Sequence, residues 1–153
     1  MMRGRTTGWG LRGVFAAAAT IVLFGCGPSP ITSARIEGAI APTFANLVHV
    51  QLLRMGLPSV AASDIKVMAS CHKLVAGSPA TGSGDWVCTL EWYGPNRFVL
   101  RDTYDLSVAT DGCYAATVDG AEAQMGGPTL KTPDGRDVRN LLYTFEGCFD
   151  TGM

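Results

Sequence analysis

Two hydrophobic rhythms divide the chain. From Pro42 onward the apolar positions Phe44, Leu47, Val48, Leu52 and Met55 recur at helical spacing and make one stripe. Pro42 is tolerated in a first turn, Gly56 suits the residue past a helix end, and Pro58 enforces a stop. Ser33 to Ala41 can add an earlier helical turn, in which case Pro42 marks a kink. His49 falls off the stripe and reads as a solvated surface residue. Beyond Asp64 the period drops to two. Ile65, Val67, Ala69 and Cys71 alternate with Lys66, Met68, Ser70 and His72. Trp86, Cys88, Leu90 and Trp92 then alternate with Val87, Thr89, Glu91 and Tyr93. Phe98, Leu100, Tyr104, Leu106 and Val108 share one face of a third segment, with Val99, Arg101, Thr103, Asp105 and Ser107 opposite. Half-buried antiparallel strands carry this pattern. Gly94-Pro95-Asn96 joins the second strand to the third, and Asp111-Gly112 is a hairpin signal leading into Cys113–Val118. A last strand is expected at Leu141–Phe149, after a Gly/Pro-rich excursion with a Pro133-Asp134-Gly135 turn. The predicted fold class is α+β: one amphipathic helix on a meandering antiparallel sheet of about four to five strands.

The N-terminal rhythm is different again. Arg3, Arg5 and Arg12 precede an apolar run from Val14 to Phe24, broken only by Thr20. A basic segment ahead of a short apolar one is the pattern of a secretory signal peptide. The run falls short of the roughly 20 apolar residues that a spanning helix needs. It ends in Leu23-Phe24-Gly25-Cys26, which resembles the lipobox at which bacterial precursors are lipidated on cysteine and cut before it. Gly27, Pro28, Ser29 and Pro30 follow, a composition that reads as a tether. The expected organisation is a signal peptide over 1–25, a lipidated Cys26 with its tether over 26–34, and one α+β domain over 35–153. Localisation on the extracytoplasmic face of the cell membrane follows from it, with several acyl chains making the attachment durable.

Cysteine arithmetic points the same way. The five cysteines are Cys26, Cys71, Cys88, Cys113 and Cys148, an odd number for an exported chain. Lipid on Cys26 leaves an even set in a compartment where disulfides persist. Four cysteines allow three pairings. Sequential pairing, Cys71–Cys88 and Cys113–Cys148, brackets compact stretches, and the strand register turns both Cys71 and Cys88 toward the core. A metal site on Cys71 and His72 is not expected: no C-x-x-C pair occurs, and adjacent strand residues point to opposite faces.

Charge and chemistry narrow the function classes only a little. Cutting before Cys26 removes three of the twelve basic residues and none of the thirteen acidic ones, so the mature chain has a formal charge of −4. Mild acidity gives no electrostatic footprint for nucleic acid. Asp102 interrupts the alternation and sets a carboxylate on an apolar strand face, as a functional acid, as the mark of a strand bend, or as the partner of Arg97, Arg101, Arg136 or Arg139. Gly82-Ser83-Gly84-Asp85 lacks the Lys-Ser/Thr ending and following helix of a phosphate loop. No nucleophile-elbow motif occurs, no cofactor motif stands out, and neither histidine sits in a recognisable catalytic setting. Trp86, Trp92, Tyr104 and Phe145 are candidates for an apolar ligand pocket, with plain core as the competing reading.

The lipobox, Ala41-Pro42-Thr43-Phe44-Ala45-Asn46-Leu47, Asp85-Trp86-Val87-Cys88-Thr89-Leu90, Asp111-Gly112-Cys113-Tyr114 and Phe145-Glu146-Gly147-Cys148-Phe149-Asp150 together resemble uncharacterised actinobacterial lipoproteins. That likeness implies a cell-surface lipoprotein and offers no catalytic residues. In outline, a helix preceding a meander is also similar to cystatin-like domains, which is fold analogy alone. The functional expectation is a non-enzymatic, lipid-anchored module that binds another envelope protein or a small apolar ligand. The alternatives are a small extracellular hydrolase working through carboxylates and a structural or stress-related surface protein.

Overall fold

The alternation beyond Asp64 folds as read. The computed structural model describes residues 30–93, 98–120, 124 and 126–151, and Cys26 lies outside them. Helix α1 (Ser33–Arg54) is followed by β1 (Val67–Lys73), β2 (Gly84–Tyr93), β3 (Val99–Val108), β4 (Cys113–Val118), β5 (Thr129–Lys131), β6 (Asp137–Arg139) and β7 (Thr144–Cys148). The main sheet is antiparallel with order β1-β2-β3-β4-β7, and β5 and β6 form a separate hairpin. The fold is α+β, one helix on a five-stranded sheet with a small two-stranded annex. Among the described residues no helix is long and apolar enough to cross a membrane.

The helix is one continuous element that runs through Pro42. Proline removes a backbone donor and costs a helix interior about 3 kcal/mol. Burial on both sides of it outweighs that cost: Ile36, Ile40, Phe44, Ala45, Val48 and Gln51 all face the sheet. Thr32 caps the start, its side chain accepting from the Arg35 N–H. The folded part begins ahead of residue 35, where the tether was expected to end. Ile31 is buried, and Thr32 pairs with Thr81 in an isolated antiparallel bridge.

The helix approaches β1 closely and also touches β7, so both edge strands lie beside it. Edge amides need partners or protection. At Cys71 the ladder to β2 turns the N–H outward, and Glu37 Oε1 accepts it at 2.8 Å. The β3–β4 connection is a turn closed by Gly112 N–H on the Ala109 carbonyl, with Asp111 Oδ1 accepting from the Cys113 N–H. Gly112 has φ +85°, and a Cβ there would lie 2.5 Å from the Phe149 carbonyl oxygen, so the position demands glycine.

Two boundaries differ from expectation. Phe98 precedes β3 and is 72% exposed, because the inward parity of that strand reaches covered surface only from Leu100 onward. The last strand is Thr144–Cys148, shorter than Leu141–Phe149, since residues 141–143 are spent on a turn. Buried Asn140 builds that turn: its Oδ1 accepts the Leu142 N–H and its Nδ2 donates to the Gly127 carbonyl.

Candidate binding surface

The four aromatics proposed as a ligand pocket are core instead. Trp86, Trp92 and Tyr104 are each 1% exposed and Phe145 is 6% exposed. Phe44 on α1 fills the space between three of them, with ring centroids 4.7 Å from Trp92, 5.8 Å from Tyr104 and 5.9 Å from Phe145. Tyr104 also meets Phe145 edge-on at 5.4 Å and donates its hydroxyl to the Leu142 carbonyl. Burial holds the Tyr104 phenol above its usual range, and the Asp102 carboxylate adds to the effect. Rings at these separations and tilts are close-packed side chains, with no chamber between them.

Asp102 is buried on the inner face, as the broken alternation indicated. Its Oδ1 accepts the Gln124 N–H at 2.8 Å, while Gln124 Oε1 accepts the Arg101 N–H at 2.9 Å. β4 ends at Val118, so these bonds satisfy β3 where its neighbouring strand has left it. Arg101 pairs with Glu91 across β2 and β3.

Both sequential disulfides are closed, and they lie on opposite faces of the sheet. Cys71 and Cys88 are register partners with Cα atoms 4.1 Å apart, both buried. Cys113 and Cys148 are register partners at 3.9 Å, but on the outer face, with Cys148 exposed. Each pair occupies the position of an antiparallel ladder where side chains approach most closely. Around the outer disulfide the side chains are small. Ser107, Ala109, Cys113, Ala115, Glu146 and Cys148 line an open depression of about 580 Å³. It is a shallow, mainly apolar surface with one carboxylate, that of Glu146.

Beneath the depression Tyr114 lies across Gly147, its register partner on β7. Burial pushes the Tyr114 phenol up, with the Thr43 hydroxyl of α1 pulling it back. A Cβ at Gly147 would fall 2.4 Å from the Tyr114 hydroxyl and 2.6 Å from ring carbon Cζ. Gly147→Ala should therefore destabilise the fold by about 1–3 kcal/mol, the usual cost of overpacking. Urea unfolding checks it: the midpoint should fall with an unchanged slope, and an unmoved midpoint would mean that the ring yields freely.

The β1–β2 loop forms a second distinctive region. Lys73 Nζ donates to the Gly82 and Ser83 carbonyls at 2.9 and 2.5 Å and stands 4.7 Å from the Trp86 ring centre. Two smaller hollows, of about 250 and 360 Å³, flank this lysine. Gly82-Ser83-Gly84-Asp85 thus serves as the loop's return into β2, as a linker would. His72 is exposed, and Cys71 is engaged in its disulfide. Among the described residues no group of three or more His, Cys, Asp or Glu is arranged to hold a metal ion.

Most of the carboxylates whose bonds are resolved carry structural duties. Glu37 caps an edge amide, Glu91 pairs with Arg101, Asp111 caps a turn, and Asp137 pairs with Lys131 at 2.7 Å. Asp134 is held below the usual carboxylate range first by the Thr132 hydroxyl and then by Arg136. In neither the outer depression nor the hollows beside Lys73 do two carboxylates meet.

Sequence reading missed Glu37, Gln51, Asn140 and Gly147. Gln51 had a usable signal, a polar residue seven positions after Phe44 and so on its stripe; its Oε1 accepts the Leu141 N–H at 2.9 Å. Gly147 sits in a strand interior, where glycine marks a close approach. The features above define a disulfide-bonded α+β domain. No protein family, curated protein or solved structure matches the chain.

Proposed function

We propose that the mature chain is a non-enzymatic binding module, tethered by lipid on Cys26 to the extracytoplasmic face of the cell membrane, and that it engages another envelope component. The observation that carries the proposal is the closed pair of disulfides. With Cys71–Cys88 and Cys113–Cys148 formed, Cys26 is the one cysteine left over, and it stands in the lipobox-like Leu23-Phe24-Gly25-Cys26. Stable disulfides suit an oxidising compartment. A contact role is favoured by the open depression around Cys113–Cys148 and by the capping and pairing roles of Glu37, Glu91, Asp111 and Asp137. Carriage of an apolar ligand inside the domain is disfavoured, because Phe44 fills the aromatic cluster.

Cys26→Ser should leave an uncut precursor and abolish partitioning into the detergent phase. Unchanged size and partitioning in that variant would sink the lipid anchor. The binding surface is tested separately, by crosslinking from Ala115 in cells; a partner captured from Ala115 but not from exposed Val60 supports the outer face.

A further inference from the structure

The point at which the chain enters the fold is stitched to one loop. Gly82 N–H donates to the Ile31 carbonyl at 2.8 Å, and Thr32 bridges Thr81. Ile31 and Thr32 therefore form an edge of the β1–β2 loop. That loop exposes two aliphatic side chains, Leu74 at 54% and Val75 at 64%. Lys73 braces the base of the loop by spanning to the Gly82 and Ser83 carbonyls, and Leu74 N–H donates to the Asp85 carbonyl, so Leu74 and Val75 leave β1 on a held framework.

We infer that the β1–β2 loop is a membrane-contacting surface, with Leu74 and Val75 entering the headgroup layer of the leaflet that holds the lipid on Cys26. This rests on the anchor proposed above. Cys26 and Ile31 are five residues apart, and five residues span at most about 18 Å even fully extended. The headgroup layer is itself roughly 5–8 Å thick on each side of the bilayer. An entry point that cannot retreat further than this keeps the loop joined to Ile31 beside the lipid surface. Exposed aliphatic side chains are stabilised where they leave water for that layer. The opposite end of the sheet, marked by Phe98, is then directed away from the membrane. Val108 pairs with Gly84 beside the loop, and the ten residues of β3 put Phe98 roughly 30 Å away.

The test uses the lipidated chain in vesicles of phosphatidylcholine and phosphatidylglycerol carrying brominated acyl chains. Val75→Trp and Phe98→Trp replace exposed residues, so neither change disturbs the core. The resident Trp86 and Trp92 are buried and supply a background that unsubstituted protein measures. The expected result is a blue shift and bromine-dependent loss of emission for Val75→Trp, with Phe98→Trp unchanged. Protein that floats with the vesicles while both tryptophans are quenched equally, or neither is, overturns the loop contact and leaves the anchor standing. Protein that carries no lipid and fails to float removes the anchor and this contact together.

Discussion

Phe44→Ala should cost about 3–5 kcal/mol of stability by the precedent of large-to-small core changes. Phe44 is fully buried and is the residue through which α1 reaches rings on three strands: Trp92 on β2, Tyr104 on β3 and Phe145 on β7. Its removal subtracts the transfer energy of a phenyl ring and leaves a cavity between helix and sheet. It also forfeits edge-to-face contacts worth about 0.5–1.5 kcal/mol each. The lining cannot collapse readily, because Tyr104 is fixed through its hydroxyl on the Leu142 carbonyl. Native domains hold only about 5–15 kcal/mol in reserve, so the variant should melt far earlier and lose much of its near-ultraviolet circular dichroism. Phe44→Leu, which keeps most of the volume, should lose clearly less. A cost under about 1 kcal/mol for the alanine variant would show that the cluster is loosely packed, and would reopen the reading of its aromatics as a ligand pocket.

How far the sequence discloses this arrangement depends on whether its causes are local. Strand alternation is local, because successive side chains take opposite faces. Trp86, Cys88, Leu90 and Trp92 accordingly announced both β2 and its buried face. The same parity favoured pairing Cys71 with Cys88, without excluding the other pairings. Helix α1 was legible from Phe44 onward and obscure before it, since Pro42 signals a break that only tertiary burial of Ile36 and Ile40 overrules. The fate of the aromatics was not legible. Trp92, Tyr104 and Phe145 come from three strands, and whether they line a hollow or a core depends on one helical side chain filling the middle. Asn140 was opaque for a related reason, and Gln51 showed its place on the stripe but not its partner: each satisfies backbone groups that adjoin it only in the folded chain. The outer depression is harder still. Its substance is missing volume at Ser107, Ala109 and Ala115, and small residues on an exposed strand face make no pattern of their own.

The same contrast between faces leads to the last expectation, that the two disulfides reduce in order. Under a dithiol in native buffer the protein should release two thiols, those of Cys113 and Cys148, while Cys71 and Cys88 stay oxidised until the fold is opened with denaturant. Exchange needs a thiolate to reach a disulfide sulfur. Cys148 is exposed on the outer face, whereas Cys88 is fully buried and Cys71 nearly so. The accessible bond also constrains the longer loop, 35 residues against 17. By the chain-entropy relation it contributes about 4 kcal/mol and the buried one about 3. Its loss therefore removes a large share of a marginal stability and releases β7, which forms one edge of the sheet and one wall of the outer depression. Alkylation followed by peptide mapping distinguishes the outcomes. Label confined to Cys113 and Cys148 at the first stage, with a lowered melting temperature, agrees with the two-faced sheet. Simultaneous labelling of all four cysteines would mean that the buried bond is reached through cooperative opening as soon as the outer one breaks, making Cys113–Cys148 the clasp on which the whole domain depends.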